Sequence, residues 1–201
     1  MPGLHVDLQA ADLALGLAQR VTEVPATANS RGVFFNVIEH ELSRRGFADE
    51  VAARRILGPS RKSFALYPTR DLLVAFAHAG AMVDDDPSAG IRSIFFGAAS
   101  YFAATWYGRA FQRFLRPDPA DALRWIERSR RQVADYGFWR LEQRGPGHAI
   151  FHMVDEYLWI DSAQLGGCEG LLRACGVRGE VTAELDSPFC GRLDIRWMLT
   201  D

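Results

Sequence analysis

Lysine is nearly missing from these 201 residues: Lys62 is the only one, and arginine carries almost every other positive charge. An excess of either sign is missing too. The formal balance is −2, so nothing draws the chain as a whole toward nucleic acid or an anionic membrane surface. Cysteines number 3, an odd count that excludes a complete disulfide framework. Cys168 and Cys175 sit two helical turns apart in a predicted helix, about 10 Å along its axis and too far to bridge. Reduced, buried thiols in a cytoplasmic protein are expected. No basic segment leads into an apolar stretch at the amino terminus, and Asp7 and Asp12 interrupt what apolarity exists, so no signal peptide is expected.

The signatures of common chemistry are absent as well. There is no Gly-x-Ser-x-Gly and no glycine loop of the kind that cradles phosphate. No nucleophile, base and orienting group can be named together, so no catalytic residue is assigned. Cys168 and Cys175 fall on the inward side of their helix with Leu165 and Leu172, where thiols serve as small hydrophobes. His148 and His152 share one strand face but stand roughly 13 Å apart along it, too far to chelate one ion. Neither metal nor cofactor is assigned. Arg124, Arg128 and Arg131 form a stripe that reads as a solvated helix face; lacking interleaved exposed aromatics, it is no nucleic-acid platform.

What the chain does have is apolar bulk. Hydrophobic residues make up 48% of it, enough for one large domain or two small ones. From Ser93 to Gly108 no residue is charged, and Gly97, Ala98, Ala99, Ala103 and Ala104 are interleaved with Phe95, Phe96, Tyr101, Phe102, Trp106 and Tyr107. As a helix this run reaches only about 24 Å, short of the roughly 30 Å hydrocarbon layer, so a buried central helix is expected and not a membrane span. Tyr101, Thr105 and Gly108 share one face, giving two hydroxyls and a gap in an apolar surround, which is the usual recipe for a small-molecule pocket. An ordinary core helix and a subunit interface fit the same pattern.

Helical spacing organises the first two thirds. Leu4, Leu8, Ala11, Leu15 and Ala18 predict one amino-terminal amphipathic helix, with residues 21–30 as a linker. A helix from Gly32 carries Phe34, Ile38 and Leu42 on one face until Gly46. Val51, Ala52, Arg55 and Ile56 predict a third, and Pro68 opens a fourth with Leu72, Leu73, Phe76, Ala77 and Gly80 along one stripe. Asp86-Pro87 and Asp118-Pro119 each read as an N-cap followed by the first helical residue.

After Tyr136 the period becomes two. Trp139, Leu141 and Gln143 alternate with Arg140, Glu142 and Arg144, a turn follows at 144–147, and Ala149, Phe151 and Met153 continue as a partner strand. A helix is predicted from Ser162 to Cys175, its glycines at 166, 167 and 170 serving close packing of helix on sheet. Val181, Ala183 and Leu185, then Leu193, Ile195 and Trp197, form a final hairpin in which Glu184 opposes Arg192 and Glu180 opposes Arg196. The fold class is therefore α+β, a helical layer on an antiparallel sheet of ββαββ order. The expected division is an amino-terminal helix and linker over 1–30 and a single domain over 31–201.

Several short motifs recur in a fixed order: Arg31-Gly32-Val33-Phe34-Phe35-Asn36, Tyr67-Pro68, Tyr101-x3-Thr105-x2-Gly108-Arg109, Tyr136-Gly137, Gly166-x-x-Glu169, Leu172-x-x-x-Gly176 and Ile195-Arg196-Trp197. In these the chain resembles an uncharacterised, mainly myxobacterial family of about 200-residue proteins, over residues 31 to 198. That resemblance implies no catalytic residue. In architecture alone the order of elements is similar to 4-vinyl reductase-type domains, haem nitric-oxide-binding domains and TRAPP subunits, an analogy that cannot carry function. The haem members show Tyr-x-Ser-x-Arg. Tyr67-Pro68-Thr69-Arg70 has threonine for the serine and its arginine one place early, which argues against haem.

The leading expectation is a non-catalytic regulatory or binding protein that holds a small apolar ligand in its helical layer. The ligand-contacting residues would be Tyr67, Phe96, Gly97, Tyr101, Ala103, Thr105 and Gly108. The alternative is an adaptor acting through an exposed face or a dimer interface, with no ligand, and an enzyme of unknown type ranks third. No nucleic-acid partner is expected.

Overall fold

Gly16 adopts a left-handed φ of 58°, and with it the amino-terminal helix expected from the sequence divides in two. α1 runs Leu8–Ala14 and α2 runs Leu17–Glu23. The break rotates the second piece, so Leu17 is buried with Ala11 while Ala18 is exposed. The computed structural model of the protein describes residues 8–47, 58–104 and 118–198. The helix expected around Val51–Ile56 lies outside them. The chain forms two units: residues 1–94 with 133–135, and residues 95–132 with 136–201.

In the first unit, part of the expected linker is a strand. β1 (Asn29–Arg31) pairs antiparallel with β2 (Leu66–Pro68), with Ser30 opposite Tyr67. Asn29 is held by the Asp135 carboxylate, which accepts from its backbone N–H at 2.7 Å and its side-chain amide at 2.9 Å. α3 spans Val33–Arg44 and buries Phe35, Val37, Ile38 and Leu42, while Phe34 stays half-exposed. α4 (Thr69–Val83) buries the expected stripe of Leu72, Leu73, Phe76, Ala77 and Gly80. It crosses the start of α5 (Pro87–Ala104) where glycine meets glycine: a Cβ on Gly90 would overlap the Gly80 carbonyl, and one on Gly80 would lie 2.5 Å from the Pro87 carbonyl oxygen. Asp86 caps α5 as expected, accepting from the Ser88 N–H at 2.9 Å.

In the second unit, Asp118 caps α6 (Pro119–Val133) by accepting from the Ala120 N–H at 2.8 Å. Four strands follow, β3 (Phe138–Gly145), β4 (His148–Val154), β5 (Gly179–Ser187) and β6 (Cys190–Trp197), in the spatial order β3-β4-β6-β5 and antiparallel throughout. Between β4 and β5 the expected helix begins as a π-turn, Ile160–Gln164, and continues as α7 (Leu165–Ala174). One sheet face buries Phe151, Met153, Val181, Leu193, Ile195 and Trp197 together with Leu165, Cys168 and Leu172. Glu184 opposes Arg192 and Glu180 opposes Arg196, the register expected from the sequence. Leu185 departs from expectation at 43% exposed: it lies opposite Gly191, which offers no side chain, beside the irregularity between Leu185 and Ser187. Among the described residues no helix is long and apolar enough to cross a membrane.

Candidate functional site

The uncharged run enters the second unit at Phe95, and there α5 rests directly on α7. A Cβ on Gly170 would overlap the Phe96 carbonyl, so the glycine lets two helix backbones touch. Gly167 faces the Phe95 ring, 3.7 Å from where its Cβ would be. These contacts join helix to helix, whereas the sequence suggested helix on sheet. The Arg173 guanidinium lies 5.5 Å from the centre of the Phe96 ring. Gly97 and Ala98 are buried, while Phe96, Tyr101 and Phe102 keep part of their surface. The Tyr101 and Phe102 rings meet edge to face at 5.7 Å. Thr105, Gly108 and the side chain of Ala103 lie outside the described residues.

Tyr67 belongs to the first unit, and its described contacts are all there. Its hydroxyl accepts from the Lys62 N–H at 2.9 Å. Its ring packs edge-on against Phe35 at 5.8 Å, and the Arg61 guanidinium stands 4.8 Å from both rings. The neighbouring polar groups are equally committed. The buried Thr69 hydroxyl lies 3.0 Å from that of Ser30, and Arg70 donates to the Val24 carbonyl at 2.8 and 2.5 Å.

The most heavily built polar site went unread in the sequence. Arg130, 6% exposed, donates to the fully buried Glu156 at 2.9 Å. Trp139 Nε1 donates to the same oxygen at 2.8 Å, and the Leu158 N–H to the other at 3.0 Å. The Arg130 guanidinium sits 4.6 Å from the centre of the Tyr136 ring and 5.0 Å from that of Trp139. Burial pulls its pKa down most strongly, yet Glu156 and Tyr136 together outweigh burial, and the net shift is upward. Glu156 reaches the interior because Asp155 takes a left-handed φ of 52°, beside Gly137, where a Cβ would come within 2.7 Å of the Asp155 carbonyl oxygen. A left-handed non-glycine residue stores strain that the surrounding structure must hold. With both carboxylate oxygens engaged, the arrangement is a lock between helix and sheet.

The outer sheet face carries the histidines. His148 pairs with Asp194 at 3.1 Å, and His152 with Glu142 at 2.9 Å. Hydrogen bonding from His152 holds the Glu142 carboxyl below the usual range, and Arg196 with His148 does the same for Asp194. A groove of about 330 Å³ crosses this face between Arg144, His152, Glu184, Arg192 and Asp194, and ion pairs such as Arg192–Glu184 at 2.5 Å span its walls. Among the described residues no three histidine, cysteine or carboxylate side chains converge as a metal site. Burial pushes the Cys168 thiol up to about 12 and that of Cys175 to about 11, so both are poor nucleophiles near neutral pH.

The match to a known sequence family runs over residues 24–198. This chain belongs to DUF2378, described as proteins of unknown function. No curated protein matches it in sequence. Its backbone is similar to H-NOX proteins of known structure. The unliganded Fe(II) H-NOX protein of K. algicida shares 14% identity and a TM-score of 0.66, covering 85% of this chain and 97% of its own. The S. oneidensis H-NOX protein in its Fe(II)NO state shares 11% identity and a TM-score of 0.66, covering 84% and 99%. At such identities the likeness establishes the fold alone.

Haem is bound to protein chiefly through an axial histidine, cysteine, methionine or tyrosine. The described histidines of this DUF2378 member do not fit that role. His78 is tied to Asp12 at 3.2 Å, His148 and His152 face outward on the sheet, and His40 is exposed. Cys168 is packed into the sheet core. From Pro87 to Pro117 the sequence has no histidine, cysteine or methionine at all. Tyr67, Thr69 and Arg70, the residues compared above with the haem members' Tyr-x-Ser-x-Arg, already have protein partners.

Proposed function

We propose that this protein is a non-catalytic regulatory binding domain that uses the H-NOX fold without haem and holds a small apolar ligand along α5. The observation that carries this reading is the composition and burial of that helix. No charge interrupts residues 93–108, and Phe96, Tyr101 and Phe102 remain incompletely covered beside the buried Gly97 and Ala98. Partly covered aromatics next to small residues give the apolar walls of a small-molecule pocket. The proposed contacts are Phe96, Gly97, Tyr101 and Ala103, with Thr105 and Gly108 continuing the stripe. Tyr67 is left out, because its hydroxyl and ring are engaged by Lys62 and Arg61.

Native mass spectrometry and solvent extraction of freshly purified protein test the proposal. A co-purifying small molecule is expected in the wild type and is displaced in Ala103→Leu, with little loss of stability. Incubation with haem is expected to give no stoichiometric Soret band. A ligand-free wild type that Ala103→Leu destabilises by about 1–3 kcal/mol, as overpacking would, overturns the ligand. A stoichiometric haem complex overturns the haem-free reading.

A further inference from the structure

The two borders of the four-stranded sheet are treated differently. On β3, Glu127 of α6 accepts from the Leu141 backbone N–H at 2.7 Å, so a helix side chain interrupts that border at its middle. On β5 nothing comparable occurs: among the described residues, no backbone group outside the β5–β6 hairpin pairs along its free side. Only Val181 is buried and Ala183 half-buried; every other residue of β5 is exposed. In an antiparallel border strand, alternate residues turn both N–H and C=O outward, which makes β5 a template for one more strand.

Its charges decide which strand. Glu180, Thr182 and Glu184 share the outer face, and Asp186 follows at the irregularity between Leu185 and Ser187, within electrostatic reach of Arg192 on that face. A second copy extending the sheet antiparallel would be related by a two-fold axis through its face, which sets even-numbered residues against even-numbered ones. Centring on Ala183 places Glu180 against Asp186; centring on Thr182 places Glu180 against Glu184. Like charges directly opposite each other are destabilising, and a one-residue slip turns the outer face of one copy toward the inner face of the other. The two registers that overlap the strands most fully therefore work against a second copy. Toward a basic strand the border is complementary. Arg192 answers Glu184 at bonding distance and Arg196 answers Asp194, while Glu180 and Asp186 feel Arg196 and Arg192 only through space, and the Glu184 side chain remains 63% exposed.

We propose that β5 is a docking strand for an extended segment of a partner protein with lysine or arginine at alternate positions, which joins the sheet by backbone pairing and sets its cations over Glu180, Glu184 and Asp186. Backbone bonds supply the affinity in this mode, and the alternate side chains supply the choice of partner.

The test uses the full chain, isotope-labelled, and three nine-residue peptides: alternating lysine and threonine, alternating glutamate and threonine, and the lysine peptide N-methylated at every second residue. The lysine peptide is expected to slow amide exchange at alternate positions of β5 at least tenfold and to leave β3 unchanged. The other two peptides should bind at least tenfold more weakly. Replacing Glu180→Lys and Asp186→Lys, both exposed, should reverse the preference in favour of the glutamate peptide. Equal binding of the lysine and glutamate peptides overturns the proposal, as does binding that survives N-methylation, protection away from β5, or concentration-dependent pairing of β5 with a second copy. Should the doubly substituted chain fail to fold, the N-methylated peptide on the wild type decides alone.

Discussion

Gly170 and Phe96 meet backbone to backbone: the position of a Cβ on Gly170 is already filled by the Phe96 carbonyl group. Gly170→Ala therefore sets two opposed effects against each other. Alanine gains about 1 kcal/mol of helix propensity, while overlap with a carbonyl that cannot rotate away costs about 1–3 kcal/mol. A net loss of up to about 2 kcal/mol is expected in urea melts, and a clearly stabilised variant would mean that α7 does not rest on α5 at this glycine.

Removing one member of the buried pair should be expensive. Glu156→Gln keeps the shape but leaves Arg130 without its counter-charge, and a loss of about 3–5 kcal/mol is expected. Arg130→Met combined with Glu156→Leu should recover much of that loss, because both desolvation penalties disappear together. A double variant as unstable as Glu156→Gln would show that the aromatic box, and not the charge, fixes the site.

Acid should weaken the sheet through its outer carboxylates. Glu142 and Asp194 have lowered folded pKa values, so their contribution is complete above the ordinary carboxylate range and is lost as pH falls through those lowered values. Glu142→Gln should lose less stability than the wild type between about pH 5 and about pH 3. Parallel slopes in denaturant melts across that interval would show that the histidine–carboxylate pair contributes nothing.

Cys168 should be inert in the folded protein. With its thiol pushed up to about 12, the thiolate fraction near pH 8 is on the order of 1 in 10,000, and burial blocks access besides. Iodoacetamide should modify Cys168 only after denaturation; labelling of the native protein at the rate of a free thiol would contradict its place in the sheet core.

Where local pattern and long-range pairing agreed, the structure was legible in advance. The β5–β6 register followed from alternation and from Glu180 and Glu184 finding Arg196 and Arg192, because a hairpin is a local object. The caps Asp86 and Asp118 were readable for the same reason. Arg130 was not. Among the arginines of α6 its burial depends on Glu156, 26 residues further on, and on a left-handed Asp155 that no periodicity announces. Gly170 looked like a helix–sheet spacer because its real neighbour, Phe96, is distant in sequence. Leu185 obeyed the strand period yet stayed exposed, since its surroundings were set by a glycine across the hairpin. For the α5 stripe, composition alone revealed an uncharged helix of small and aromatic residues, but the helix it rests on became visible only in three dimensions.

The unequal sheet borders carry a consequence for growth. Addition at β5 leaves the Leu141 N–H at the middle of β3 still held by Glu127, so the opposite border stays interrupted after one strand has been accepted. Proteins with two free borders can join head to tail into filaments; here the interruption at Leu141 works against such growth.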